Sequence, residues 1–322
     1  MSGVSDRWAD FPDYILGITK EIWEDRGIAT LNHYYTPDMP LRTPMGVSVG
    51  NQPVIAATMA TCYEVPDRQV FGEDVIWSDH PEHGLLSSHR VISTGTHTRD
   101  GQFGKATGRR FTIRVIADCA TKDDQIYDEW LVRDYGGLLR QLGHDPRAFA
   151  AGLIAREGGV ASAARPFSPE TDIAGAYHGR GNDNAWGARY AALLDAAMRG
   201  DFRGLQDGCD RAVLGQYPGA RDTVGMAETS AFWLGLRASF PSATFKIHHQ
   251  IGMDADMLSP RAALRWSLDG VHDGWGAFGA PSGAQVHVMG MSHAEFGPWG
   301  MRRETALYDE VAIWKQILLH SG

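Results

Sequence analysis

The sequence predicts an α+β fold built twice in tandem, with helices packed on a curved antiparallel sheet in each copy. Three observations predict it. The length of 322 residues suits two domains better than one. The chain also matches itself at a shift of 175 residues. In each copy, residues at helical spacing are followed by a run of strand-like segments, an order typical of α+β folds.

The internal repeat is clearest between residues 90 and 142, where no gap is needed. We therefore predict a first copy at 1–143 and a second, more diverged copy at 185–322. Residues 144–184 are rich in Gly, Ala, Pro and Asn, which is typical of a surface linker, here with one short helix at about 146–156. The repeated residues are Arg90/Arg265, Gly95/Gly270, His97/His272, Gly101/Gly276, Phe103/Phe278, Gly104/Gly279, Gly108/Gly283, Glu129/Glu304, Asp134/Asp309 and Gln141/Gln316.

The elements follow the same order in both copies. Each copy opens with apolar residues at helical spacing, such as Ile15, Ile18 and Ile22. Glycine-rich stretches between the later strands predict long hairpin turns. Helices on one face of a curved sheet form a cone, and a cone encloses a pocket. The pattern predicts second helices at about 51–63 and 226–238, and strands at about 68–79, 86–98, 109–120, 125–133, 243–254, 261–272, 284–295 and 300–308.

Composition excludes several classes of function. The net charge of −9 gives no basic groove for nucleic acid. Three cysteines without paired spacing predict neither a disulfide framework nor a zinc site. The polar N-terminal segment predicts no signal peptide, and the absence of long apolar runs predicts no membrane span. We expect a cytoplasmic protein with no cofactor and no metal, since nucleotide-binding motifs are also missing.

Two stretches of the first copy carry a family resemblance: STGTHTRDGQFGKATGRR (93–110) and DEWLVRDYGGLLRQLG (128–143). Together they resemble the SnoaL-like polyketide and ester cyclases of the NTF2-like superfamily. The second copy keeps the same skeleton as DGVHDGWGAFGAPSGAQ (269–285) and RRETALYDEVAIWKQI (302–317). The resemblance covers most of residues 15–143 in the first copy.

This resemblance implies a cone-shaped α+β barrel and cofactor-independent acid/base chemistry on carbonyl compounds. It also implies dimerisation through the sheet, so the two copies are expected to pair as an intramolecular pseudo-dimer, with further homo-oligomers possible. Family members often carry an acid in the middle of the third strand, facing the cavity. Here that stretch reads Ile116-Ala117-Asp118 and Met291-Ser292-His293, so the acid is either displaced by one position, at Asp118, or absent.

Candidate catalytic residues follow from strand alternation. His287 and His293 share a face of the strand at 284–295 with Met289 and Met291, and those methionines suggest that this face points inward. His97 and His272 recur at equivalent positions, either to hydrogen-bond a strand end or to polarise a carbonyl. Asp118 is the acid/base candidate of the first copy, or else a solvent-facing strand residue.

Candidate substrate-binding residues are Arg90 and Arg265 in mid-strand, together with Asp269, Trp266 and Trp275. The arginines either clamp a carboxylate or form structural ion pairs with the repeated acids Glu129/Glu304 and Asp134/Asp309. The tryptophans either line a pocket or fill a core.

These features predict an acid/base enzyme, a cyclase, lyase, isomerase or hydrolase, acting on a small carbonyl-containing or cyclic substrate, with its site in the second copy. One alternative is a non-catalytic protein of the same fold that holds a small ligand. Another is one active copy beside a second copy that replaces a dimer partner. Three or more ionisable groups converging inside a cavity would favour the enzyme.

Overall fold

The structure, a computed structural model, describes residues 4–321. Its first half consists of helices packed on one six-stranded sheet. One short 3-10 turn lies in this half at Ile28–Thr30, and another lies in the joining segment at Pro169–Thr171. The elements are α1 (Phe11–Trp23), α2 (Leu31–Tyr34), β1 (Pro40–Thr43), β2 (Gly46–Val49), α3 (Asn51–Glu64), β3 (Gln69–His80), β4 (Gly84–Thr96), β5 (Arg110–Lys122), β6 (Gln125–Arg133) and α4 (Tyr135–Leu142). The helix α5 (Pro146–Arg156) lies in the segment that joins the halves.

The second half repeats this order and builds a second six-stranded sheet. Its elements are α6 (Ala185–Met198), α7 (Phe202–Asp207), β7 (Cys209–Tyr217), β8 (Arg221–Val224), α8 (Met226–Ser239), β9 (Thr244–Met253), β10 (Arg261–Val271), β11 (Gln285–Gly297), β12 (Gly300–Tyr308) and α9 (Glu310–Ser321).

The two sheets have the same topology. Their strand orders are β2-β1-β6-β5-β4-β3 and β8-β7-β12-β11-β10-β9. Neighbouring strands are antiparallel except for β1 with β6 and β7 with β12, which are parallel. The predicted α+β class and its tandem duplication are confirmed.

The eight predicted strands lie within a few residues of their predicted positions. The nine-residue strand β7 is not predicted, and the four-residue strands β1, β2 and β8 are too short to show an alternation. The helices α4 and α9 are also missed by the apolar pattern. They begin at the repeated acids, because Asp134 caps α4 by accepting from Gly137 N at 2.9 Å and Asp309 accepts from Val311 N at 2.9 Å. Helix capping therefore explains why this aspartate recurs.

Each sheet has a face covered by its own helices and a face that packs against the other sheet. Two apolar clusters fill the contact between the sheets. Met289, Met291 and Leu307 of the second copy meet Ile116 and Val132 of the first. Near the other end, Ile251 and Ala263 meet Ile76, Leu86 and Ala120.

Buried charges also cross this contact between the sheets. Arg265 Nε donates to Asp118 Oδ2 at 3.2 Å, and Arg90 Nη1 donates to His293 Nδ1 at 3.2 Å. Arg90 and Arg265 are equivalent in the repeat, and so are Asp118 and His293, so the two contacts are related by an approximate two-fold axis. The structural ion pairs expected between these arginines and the repeated acids Glu129/Glu304 and Asp134/Asp309 are not formed, because those acids have other contacts.

The prediction that His293 points into the cavity of the second copy is also wrong, because its side chain lies between the two sheets. Its Nε2 lies 2.8 Å from Ser88 Oγ across the sheets, and a neutral ring with the proton on Nε2 satisfies both Ser88 and Arg90. Burial, followed by Arg90, lowers the pKa of His293 well below its ordinary value. This imidazole therefore stays neutral between the sheets.

A second set of contacts joins the halves near α4. Asp134, besides capping its helix, accepts from Gly219 N and Ala220 N of the second copy at 2.8 and 2.7 Å. Arg140 donates both Nη groups to Glu310 at 2.7 and 2.6 Å. No helix in the described range 4–321 is both long enough and apolar enough to span a membrane.

We predict that Asp118→Ala lowers the free energy of unfolding by about 3 kcal/mol, because Arg265 is then left buried without its carboxylate. Urea unfolding at neutral pH measures the change. Asp222→Ala is the control, since Asp222 forms an exposed pair with Arg114 at 3.6 Å and should cost less than about 1 kcal/mol. Equal effects of the two substitutions would contradict a structural role for Asp118.

Candidate functional site

The first copy encloses a cavity of about 400 Å³ between the helix-covered face of its sheet and the helices α1 and α3. Its walls are mainly apolar: Ile15, Ile18 and Ile22 come from α1, and Val54 and Ala57 from α3. The volume lies in the range of small-molecule sites. The polar residues that line it are Thr19, Tyr35, Thr43, Ser48, Thr58, Thr61, Arg68, His89, Ser93, Gln102, Glu129, Arg133 and Tyr135.

Glu129 lies on β6, which carries a bulge where Thr121 pairs with Ile126 and Ala120 with Asp128. The extra residue lets Ile126 and Glu129 both line the cavity, although they are three positions apart. Asp128 then lies on the opposite face, where it pairs with Arg42 at 2.8 Å. The bulge therefore determines which of two adjacent acids faces the cavity.

The environment of Glu129 favours its protonated form. Burial raises the pKa of this carboxyl to about 7, although hydrogen bonding to Tyr35 and the charge of Arg133 act in the opposite direction. Among the described residues, none provides a hydrogen-bond partner for Glu129 Oε2. A carboxyl in this state can both accept and return a proton near neutral pH.

Two further groups in the cavity can exchange or donate protons. Burial lowers the pKa of His89 on β4 to about 4, so its ring is neutral at pH 7, and its Nδ1 lies 3.3 Å from Ser87 Oγ. Tyr35 is held in front of β1 by a bridge to Ile126. Burial raises the pKa of Tyr35 well above 10, which keeps the phenol protonated as a donor.

Two arginines also line the cavity. Arg68 stands just before β3, donates from Nε to Ser93 Oγ at 2.9 Å and stacks over Trp23 at 4.1 Å. The chain before β3 packs closely against Gly95, which recurs as Gly270. A Cβ at Gly95 would lie 2.3 Å from Val65 Cγ1 and 3.3 Å from the Arg68 Cα, so a larger residue would displace this segment. Arg133 lies at the end of β6, on the same face as Glu129.

The loop after β4 closes one end of the cavity. Glu64, at the end of α3, accepts from Phe103 N at 3.0 Å and Gln102 N at 3.1 Å, and it contacts His97 Nε2 at 3.0 Å. Phe103 lines both this cavity and an adjoining one of about 250 Å³, which also reaches Asp309 of the second copy. The Gly-Thr-His motif therefore shapes the cavity from outside.

The interior of the second copy is filled instead. Trp233 and Trp266 are fully buried and lie edge to face with ring centroids 5.5 Å apart. Glu304, the equivalent of Glu129, accepts from Tyr190 at 2.9 Å, Tyr217 at 2.7 Å and Trp233 Nε1 at 3.0 Å. Burial raises the pKa of Glu304, but three donors hold it in a packed aromatic core.

The other polar groups of the first cavity are replaced in the repeat. At the 175-residue shift, Arg68, His89, Ser93 and Arg133 correspond to Ala243, Leu264, Leu268 and Tyr308. All four replacements belong to the buried core of the second copy. The fold can therefore be built without these four polar groups, and their presence is specific to the open cavity.

The predicted catalytic residues lie elsewhere. Asp118 and His293 are between the sheets. His287 lies on that same face of β11 and contacts Asp269 Oδ2 through Nδ1 at 2.9 Å. His97 bonds Glu64, and His272 contacts Ser282 Oγ at 3.0 Å. The inward orientation expected for His287 is also wrong, because the residues that face the second core are Val286 and Val288.

The predicted substrate-binding residues are dispersed as well. Arg90 and Arg265 belong to the contact between the sheets, and Asp269 pairs with His287. Trp266 is part of the filled core, and Trp275 is 74% exposed. None of the ten predicted residues lines the 400 Å³ cavity.

The sequence contains one signal for Glu129, because this residue recurs as Glu304 at the same position of the second copy. His89, Tyr35, Arg68 and Arg133 have no such signal. Chemically, the cavity combines a carboxyl that titrates near pH 7, a neutral imidazole, a phenol and two guanidinium groups. This combination suits proton transfer at a carbonyl compound.

Comparison with known proteins agrees with the duplication. The family model of the SnoaL-like polyketide cyclases matches residues 14–142 and again residues 188–317, well over half of the chain. No curated protein matches this chain.

Several solved structures are similar to one half of the chain. Wild-type IdmH from Streptomyces antibioticus is 21% identical over 41% of this chain and 97% of its own, with a TM-score of 0.36. A SnoaL-like polyketide cyclase from Agrobacterium tumefaciens is 21% identical over 42% of this chain and 98% of its own, with a TM-score of 0.34. TsrD from Streptomyces laurentii is 22% identical over 41% and 91%, with a TM-score of 0.34.

We predict that Glu129→Gln becomes increasingly more stable than the wild type as pH rises from about 4.5 to about 7. The folded pKa of Glu129, about 7, exceeds its ordinary value of 4.5. The unfolded chain therefore loses this proton first, and wild-type stability falls across that window, by up to about 3 kcal/mol. Urea unfolding at a series of pH values measures the difference. A difference that does not change with pH would show that this carboxyl is not perturbed.

Proposed function

The chain belongs to the SnoaL-like polyketide cyclase family, and on this premise we propose that its first copy is a cofactor-independent acid/base enzyme. Its substrate is a small carbonyl-containing or cyclic compound. The observation that carries the proposal is the Glu129 carboxyl, which faces an apolar cavity of about 400 Å³ with its pKa raised to about 7. Enzymes that work on carbonyl compounds at neutral pH use carboxyls tuned in this way.

In the proposed reaction, Glu129 removes a proton from the carbon next to a substrate carbonyl. The electron pair of that C–H bond moves onto the carbonyl oxygen, and the resulting enolate is stabilised by hydrogen bonds from the neutral donors Tyr35 and His89. For a ring closure, the enolate carbon attacks a second carbonyl of the same molecule and forms a C–C bond. Glu129 then returns its proton to the new alkoxide. Atoms and charges balance without a co-reactant.

The second copy has a different role in this proposal. Its interior is filled, and its carboxyl Glu304 accepts three hydrogen bonds. Its sheet covers the outer face of the first sheet through the Arg265–Asp118 and Arg90–His293 contacts. We propose that it acts as an internal dimer partner, which keeps β5 and β6 in place behind the cavity.

Exchange of solvent deuterium into carbons next to a carbonyl tests the proposal, because it detects proton removal without knowledge of the product. We expect the full chain to accelerate exchange in at least one member of a panel of small 1,3-diketones, β-keto esters and oxo acids, followed by proton NMR. Glu129→Gln should lower the rate by about 100-fold or more, because the base is removed.

The matched control is Glu304→Gln at the equivalent position of the second copy. It should lower stability, since an amide cannot accept from Tyr190, Tyr217 and Trp233 together, but the folded variant should keep its exchange rate. Equal rates in the wild type and Glu129→Gln would exclude Glu129 as the base. Ligand binding without any accelerated exchange would instead favour a binding protein.

The exchange rate should also depend on pH in a defined direction. Only the ionised carboxylate is a base, so kcat/KM should rise with pH through about 7 and level off above it. Rates measured from pH 5 to pH 9 on one responsive substrate give this profile. A rate already level at pH 5 would mean that Glu129 has an ordinary pKa or that another group is the base.

A further inference from the structure

We propose that Arg68 and Arg133 form an anion-binding subsite in the first-copy cavity and that the substrate carries a carboxylate bound there. The inference rests on the proposed function and deepens it by naming a class of substrate. It is carried by the contacts of these two arginines and by what replaces them in the second copy.

Arg68 differs from the other buried arginines. Four arginines in the described range are buried, and three of them pair with a carboxylate. Arg42 pairs with Asp128 at 2.8 Å, Arg90 with Glu73 at 2.9 Å and Arg265 with Asp118 at 3.2 Å. Within residues 4–321, no carboxylate lies within 4.0 Å of Arg68, whose hydrogen-bond partner is the neutral Ser93. A buried guanidinium without a counter-charge costs stability.

Arg133 increases that cost. It lines the same cavity and, like Arg68, it has no carboxylate within 4.0 Å in the described chain. Burial lowers the pKa of Arg68 to about 10, and repulsion from Arg133 contributes to the shift. Glu129 lines the same cavity and is attracted to Arg133, but burial raises the pKa of its carboxyl to about 7, so it offsets the two positive charges only in part. A bound anion would relieve the remaining repulsion and supply the pairing that Arg68 lacks.

The fold itself does not require these cations. Their equivalents in the second copy are Ala243 and Tyr308, and the equivalent of Ser93 is Leu268. All three are buried in the aromatic core that fills that copy. Where the cavity is absent, the arginines are absent too, which connects them to what the cavity holds.

The arrangement fits a carboxylate on an apolar body. Ser93 takes only the Nε of Arg68, so its two Nη groups remain for a planar anion such as a carboxylate. Glu129 and Arg133 share a strand face and lie four residues apart, about 13 Å along the strand. A substrate that contacts both therefore has its carboxylate several bonds away from the carbon that loses its proton.

The test measures, by calorimetric titration of the full protein chain, the affinity for monocarboxylates and for the primary amides with the same carbon skeleton. The series runs from hexanoate to dodecanoate and includes the phenylalkanoates. We expect at least one acid to bind about tenfold or more tightly than its amide. Arg68→Gln and Arg133→Gln should each remove most of that preference. Arg165→Gln, which changes an exposed arginine of the joining segment, should retain it. Circular dichroism confirms that each variant is folded.

Any of three results would overturn the subsite. Acids and amides could bind equally, no member of the series could bind, or both cavity variants could retain the preference for acids. The proposed function fails separately. Glu129→Gln should keep the preference for acids while losing deuterium exchange. Wild-type protein that prefers acids but never accelerates exchange would leave the subsite standing and refute the enzyme.

Discussion

The contact between the two sheets determines what every other surface of this protein can do. Arg90 and Arg265 are buried there, and a buried guanidinium needs partners. Arg90 pairs with Glu73 of its own sheet at 2.9 Å. Across the approximate two-fold axis each arginine also contacts the other copy, Arg90 at His293 and Arg265 at Asp118. Those side chains are thereby committed to holding the halves together. Any chemistry must come from the opposite face of a sheet, beneath its helices.

On that opposite face the two copies differ, although they share a carboxyl at the same position. Glu304 is surrounded by hydroxyl and indole donors in a core packed with aromatic rings. Glu129 faces open space and has an oxygen without a partner in the described chain. Burial raises the pKa of both carboxyls. A carboxyl at this position is thus structural where the cavity is filled and available where it is open.

The open cavity contains charged and polar groups whose burial costs stability. It contains a histidine whose pKa burial lowers to about 4 and a pair of like charges, where the second copy has leucine, alanine and tyrosine. Residues that cost stability and are not required by the fold are typical of functional sites. The loop that closes the cavity is held by hydrogen bonds to Glu64, which also contacts His97.

The sequence by itself determined the repeat, the order of helices and strands and the family, because periodicity and motifs are local properties of the chain. It did not determine which strand face is the interior. On β11, Val286 and Val288 face the core while Met289 and Met291 face the other sheet, so both faces are apolar and alternation cannot distinguish them. The cavity residues come from a loop, a turn and two strands, and one bulge decides that Glu129 points inward. Only tertiary packing brings such groups together, because their proximity arises from contacts between segments far apart in the chain.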